Sequence, residues 1–203
     1  LIKAPIRERF SRERFSPKSL LLSVAVPEAA IMALLSFGYG IVTVYLSVYA
    51  QDEVGITSGT GYYFSILAAG LVASRLMSAY LLRNGRYVKI FSLGIASVIV
   101  SFFIVAFIHN PVAFFISAAF MGVGYGLITP TAQTMIVNMA EDTERGVANA
   151  TYLTFFDIGV GSGVFVGGLI AQHINYSASY ALSFVLALCA MAYLHLFIKN
   201  HFQ

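Results

Sequence analysis

"SFGYGIVT" occupies residues 36–43, and "GVGYGLIT" occupies residues 122–129. Both stand in the middle of long apolar runs, and both follow Gly-Tyr-Gly with two aliphatic residues and a threonine. Glycine weakens a helix, and tyrosine and threonine bring polar groups that need partners. A plain hydrophobic core has no use for such a pattern twice. The surroundings of the repeat decide its reading. The chain is 59% hydrophobic and 10% charged, against about 25% charged in an ordinary soluble domain. So few charges do not clothe a soluble protein of 203 residues. The composition points to a bilayer and to an all-α membrane fold.

Apolar segments of spanning length occur at 28–50, 57–82, 88–108, 112–139, 146–172 and 177–198. Each meets the roughly 20 residues that a hydrocarbon core of about 30 Å demands. Charge alternates between their connectors. Lys3, Arg7, Arg9, Arg12, Arg14 and Lys18 precede the first segment, Arg83, Arg86 and Lys89 follow the second, Arg145 follows the fourth and Lys199 lies in the tail. The connectors 51–56, 109–111 and 173–176 contain no Lys or Arg. The positive-inside rule then predicts six spans with both termini cytoplasmic, in the cell (inner) membrane. This placement accounts for the net charge of +3 without nucleic acid as a partner. Residues 1–27, with "RERFS" at 7–11 and again at 12–16, read as a basic cytoplasmic or interfacial lead, the remnant of a central loop. Residues 28–203 read as the transmembrane bundle. Leu1 in place of Met suggests that an upstream half is missing.

An odd number of spans separates the starts of the first and fourth helices, so the two run in opposite directions. Two inverted three-helix repeats follow, an arrangement typical of secondary transporters. Gly38, Gly40, Gly124 and Gly126, with Pro130, mark points where the two helices can flex or approach a neighbour closely. In the first helix Ser36, Gly40, Thr43 and Ser47 recur at helical spacing beside Tyr39; in the fourth, Tyr125, Thr129 and Gln133 do the same. Polar stripes on spanning helices face a cavity or another helix rather than lipid. Ser36, Tyr39, Thr43, Tyr125, Thr129 and Gln133 are therefore candidates for a substrate cavity, with a small molecule as its occupant.

Two ionisable residues fall inside spans. Asp157 lies eleven residues past Gly146, about 16 Å in and near the midplane. It is a proton-coupling or substrate-contacting carboxylate, or a structural one bonded to a neighbouring helix. Arg75, eight residues before Arg83, can pair with Asp157, snorkel, or bind an anion. Glu28 reads as a dipole partner at the mouth of the first helix. No phosphate loop, nucleophile elbow, His-Glu-x-x-His or paired His/Cys set occurs, so an enzyme, a metal site and a bound cofactor are not expected.

Four passages resemble the C-terminal half of a major facilitator superfamily transporter: "YLSVYAQDEVGI" (45–56), "ASRLMSAYLLRNGRYVKI" (73–90), "GVGYGLITPTAQTMIVNMAEDTERGVANATYL" (122–153) and "FFDIGVGSGVFVGGLI" (155–170). The last two resemble the drug:proton antiporter branch. The second resembles the family's cytoplasmic Gly-x-x-x-Asp-x-x-Gly-Arg loop. Ser78 and Leu82 replace its glycine and acid while Gly85 and Arg86 remain, which leaves Arg75, Arg83, Gly85 and Arg86 for gating and charge pairing. The resemblance implies alternating access against an N-terminal six-helix half, powered by a proton gradient. It places the first and fourth helices at the cavity, the second and fifth at its sides, and the third and sixth against lipid. Asp157 matches an intramembrane acid of that branch. The implied activity is export of a small organic solute or drug; uptake by a symporter of the same superfamily, or a non-transporting six-span scaffold, are the alternatives.

Overall fold

The computed structural model describes residues 21–82 and 85–198. Six α-helices follow one another: α1 (Val26–Asp52), α2 (Gly61–Leu82), α3 (Tyr87–Phe107), α4 (Pro111–Asn138), α5 (Arg145–His173) and α6 (Tyr176–Tyr193). A 3-10 turn, Ser23–Ala25, leads into α1, and Leu194–Ile198 extends α6 as a π turn. No strand occurs among the described residues. Residues 1–20 of the basic lead, and Arg83 and Lys199 with it, lie outside the described residues.

Local chemistry fixes where the helices begin. Pro27 and Pro111 sit in the first turns of α1 and α4, where a missing N–H leaves no bond unmade. The Asn110 and Asn175 side chains cap α4 and α6, accepting from Val112 N at 2.8 Å and Ala178 N at 2.7 Å. The second helix, expected from residue 57, begins only at Gly61. Gly55 and Gly59 take φ of 79° and 85°, a left-handed geometry that glycine tolerates and a helix excludes. α4 passes through Pro130 as one continuous helix.

Among the described residues, α1, α3, α4, α5 and α6 are long and apolar enough to cross a membrane. α2, 22 residues long, carries Ser65, Ser74, Arg75 and Ser78 within its apolar run. It lies along α4, with Gly122 against the Leu67 carbonyl and Gly126 against Leu71 and Ser74. α1 packs in the same way along α5: Gly159 meets Ala33, Gly163 meets Phe37 and Gly167 meets Ile41. The remaining principal pairings are α3 with α4, α3 with α6 and α1 with α6.

α1 and α4 cross the centre in opposite directions. Tyr125 near the middle of α4 meets Leu35 and Tyr39 of α1, whereas Phe114 near the start of α4 meets Tyr49 near the end of α1. An aromatic cluster closes the latter end, with Tyr49 5.0 Å from Tyr180 and Tyr63 4.6 Å from Phe114 between ring centres. All four rings are fully buried, and the Tyr49 hydroxyl donates to the Val105 carbonyl at 2.5 Å. The carbonyl thereby satisfies this buried hydroxyl.

Candidate functional site

The repeated motif lies at the heart of the bundle, and the small residues explain the closeness. A Cβ on Gly40 would strike the Val160 carbonyl of α5, and one on Gly126 would strike Ser74 of α2. The two motif copies thus press their second glycines against α5 and α2 respectively. Gly38 and Gly124 both face α3, against Phe102 and against Val98 with Gly94. The two motif tyrosines meet each other, with the rings of Tyr39 and Tyr125 4.9 Å apart. Phe156 of α5 joins them at 6.1 Å from Tyr39.

The candidate polar residues separate into two layers. Ser36 and Tyr125 are buried, at 0% and 1% exposure. Their hydroxyls serve the packing: Ser36 donates to the Met32 carbonyl, and Tyr125 donates to the Leu35 carbonyl at 2.6 Å. Both stand behind the open surface rather than on it, because each hydroxyl is consumed by a carbonyl of α1. Tyr39 and Thr129 are half-buried, and Thr43 and Gln133 are exposed. Thr43 donates to Gly40 O at 2.9 Å, and Thr129 donates to Tyr125 O at 2.9 Å. Such bonds satisfy the hydroxyl hydrogens while leaving oxygen lone pairs outward. Gln133 donates to Asn149 Oδ1 at 2.7 Å, which ties α4 to α5.

The expected pairing of Arg75 with Asp157 does not form. Among the described residues the ion pairs are His109–Glu53 at 3.8 Å and Arg145–Asp142 at 2.8 Å. Arg75 turns instead toward α4, its guanidinium donating to Thr129 Oγ1 at 3.4 Å. Asp157 is exposed on the face of α5 away from the glycine stripe that packs on α1. The angular separation on the helix is the cause, since residues 157 and 159 point about 200° apart. Arg86 is exposed beside Gly85, whose φ of 69° turns the chain between α2 and α3.

Two cavities flank Asp157 along α5. One, of about 390 Å³, is lined by Arg75, Thr129, Pro130, Gln133, Tyr152, Leu153 and Phe156. The other, of about 740 Å³, lies toward the far end of α5 among residues that include Tyr45, Gly161, Phe165, Gln172 and Tyr176. The outer face of α5 between and beyond them is strongly apolar, with Leu153, Ile158, Phe165 and Leu169 exposed.

One polar cluster escaped the sequence reading. The Glu53 carboxylate accepts from the backbone N–H groups of Tyr176 at 2.6 Å and Ser177 at 3.1 Å, and from the Ser177 hydroxyl. His109 Nε2 lies 2.7 Å from Ser177 Oγ. The cluster joins three connectors at one end of the bundle. Its signal in the sequence was the absence of Lys and Arg from those connectors and the Asn-Tyr-Ser triplet, which is a helix start.

Residues 83–202 match the Major Facilitator Superfamily. More than half of the chain is covered, and this chain belongs to that superfamily of membrane transporters. No curated protein matches the chain.

Proposed function

We propose that this bundle is the C-terminal half of a secondary active transporter that exports a small organic solute or drug in exchange for protons, as the drug:proton antiporter branch does. It would cross the cell membrane six times with both termini cytoplasmic, and α2 counts as the sixth span because it follows α4 along its length. The helix pairings support two inverted three-helix repeats. Exchanging α1 with α4, α2 with α5 and α3 with α6 converts the pairings of α1 with α5 and of α3 with α4 into those of α4 with α2 and of α6 with α1. α1 and α4 run oppositely, and their motif tyrosines touch. That is what a two-fold axis in the membrane plane requires.

The observation that carries the reading is the open side of the bundle. α5 and α2 present exposed apolar faces beside exposed Thr43 and Gln133, and a second six-helix half would cover them and complete the cavity. Asp157 is the proposed proton carrier, exposed between two cavities and free of any ion pair among the described residues. The test uses the full-length transporter in liposomes with an imposed pH gradient. The gradient should drive saturable accumulation, and Asp157→Asn should abolish the pH-driven part while leaving substrate binding. With no salt bridge to break, the same change should alter stability by less than about 0.5 kcal/mol. Full pH-driven accumulation by a folded Asp157→Asn protein would end the proton-carrier role.

A further inference from the structure

We infer that the cavity around Arg75 is an anion site, which receives the carboxylate of a small organic monoanion with an apolar, aromatic-compatible body. The inference rests on the transporter reading above and names the substrate class for that cavity. Arg75 is seven residues from Leu82, the last residue of α2, so it lies about 10 Å inside the helix end. Arg75 is exposed on α2, and its guanidinium, charged at any physiological pH, is open to a partner. Thr129 supplies one contact, at 3.4 Å, longer than the roughly 2.7–2.9 Å of a strong charge-assisted bond. No described carboxylate comes within the 4.0 Å of an ion pair with it. Most of the five-donor fork is left facing the cavity, and its planar geometry matches a carboxylate in bidentate contact.

The neighbours are arranged for an anion with an apolar tail. Thr129 spends its hydroxyl hydrogen on Tyr125 O, so its oxygen is turned to Arg75 and holds the guanidinium in place. Gln133 is held by Asn149. Pro130, Leu153, Phe156 and the ring of Tyr152 form the apolar wall. About 390 Å³ lies in the usual range for small-ligand pockets of roughly 300–1,000 Å³. One guanidinium balances one negative charge; a dianionic phosphate would keep one charge uncompensated. A cationic solute finds no carboxylate in the lining, since Asp157 lies outside it.

The test measures binding to the purified full-length transporter with three probes of one shape: 4-phenylbutyrate, 4-phenylbutanamide and 4-phenylbutylamine. The carboxylate should bind about tenfold or more tighter than the other two, as a hydrogen-bonded charge pair implies. Arg75→Gln should erase that preference, and Arg75→Lys should keep a weaker one. Thr129→Val should reduce it while leaving the ligand-free melting temperature unchanged, which separates binding from folding. Equal binding of the three probes, or a preference that survives Arg75→Gln, overturns the anion site. So does an unstable Arg75→Gln protein whose stability returns when an acid of the other half is neutralised, because Arg75 would then pair within the protein. Arg75-dependent anion binding with no flux of any compound upholds the site and overturns the transporter reading. Flux of the amine or amide without carboxylate preference does the reverse.

Discussion

Gly163 and Gly161 stand two residues apart on α5 in opposite surroundings. A methyl group on Gly163 would run into the Phe37 backbone of α1, whereas nothing lies within 4 Å of one on Gly161. Gly163→Ala should therefore force α5 away from α1 and destabilise the bundle by about 1–3 kcal/mol. Gly161→Ala should be neutral, or stabilise by up to about 1 kcal/mol because alanine suits a helix better. Thermal unfolding of the two variants in detergent checks this, and equal melting temperatures would contradict the close contact. The row Gly159, Gly163 and Gly167 was legible in the sequence because a four-residue period is itself the geometry of one helix face. The burial of Ser36 and Tyr125 was not. Their spacing matches that of exposed Thr43 and Gln133, and only the three-dimensional course of α1 and α4 tells which turn carries a neighbour. Arg75 and Asp157 show the same limit. Depth can be counted along a helix, but whether two charges face each other depends on the rotation of α2 and α5.

At the scale of elements, the helices were legible and their starts less so. Apolar length located all six helices, because a chain with 10% charge breaks its long apolar runs only at the connectors. The start of α2 slipped from 57 to Gly61 since two glycines fold the connector back before the helix begins. α6 shows how one element depends on a distant residue. Its N-terminal N–H groups have no partner within the helix, and Glu53, at the end of α1, accepts from two of them. A carboxylate at that position also complements the helix dipole. Glu53→Ala should lower stability by about 1–2 kcal/mol, and Asn175→Ala by about 1 kcal/mol. Exposed Asp52 is the control, and Asp52→Ala should leave the melting temperature where it was. If the three variants melt together, the cap across the connectors carries no stability.

Over the whole molecule, exposed positions fall on two different kinds of surface. Thr43 and Gln133 are exposed beside the motif helices, while Leu188 is exposed on α6. In the full-length transporter the first kind should meet water and the second lipid. Single cysteines, in a Cys189→Ser background, distinguish them with a membrane-impermeant thiol reagent. Thr43→Cys and Gln133→Cys should label, Leu188→Cys should not, and Ser36→Cys should label far more slowly than its neighbours because the site is buried. Labelling of Leu188→Cys as fast as that of Gln133→Cys would contradict a water-filled side. Membership of the superfamily was visible in the sequence from scattered passages, among them the Gly85–Arg86 loop and the Gly-Tyr-Gly turn of α4. The site was only half visible, since it is assembled from three helices that the chain makes at different times.

The pairing of α1 with α5, rather than with α2, sets a timetable for synthesis. Tyr45 of α1 donates to the carbonyl of Val164, 119 residues later in the chain. Until α5 leaves the ribosome, Gly40 and the groove around Phe37 have no glycine-lined partner to receive them. α2 and α4 meet after a much shorter delay, with Ser74 and Gly122 separated by 48 residues. Each doubling of such a separation adds only about 0.6 kcal/mol of closure entropy, so the long wait costs little in final stability. Its weight falls on kinetics, where long-range contacts slow assembly and unfinished surfaces invite wrong neighbours. α1 precedes every other helix of this bundle in the chain and is thus among the last of them to be finished.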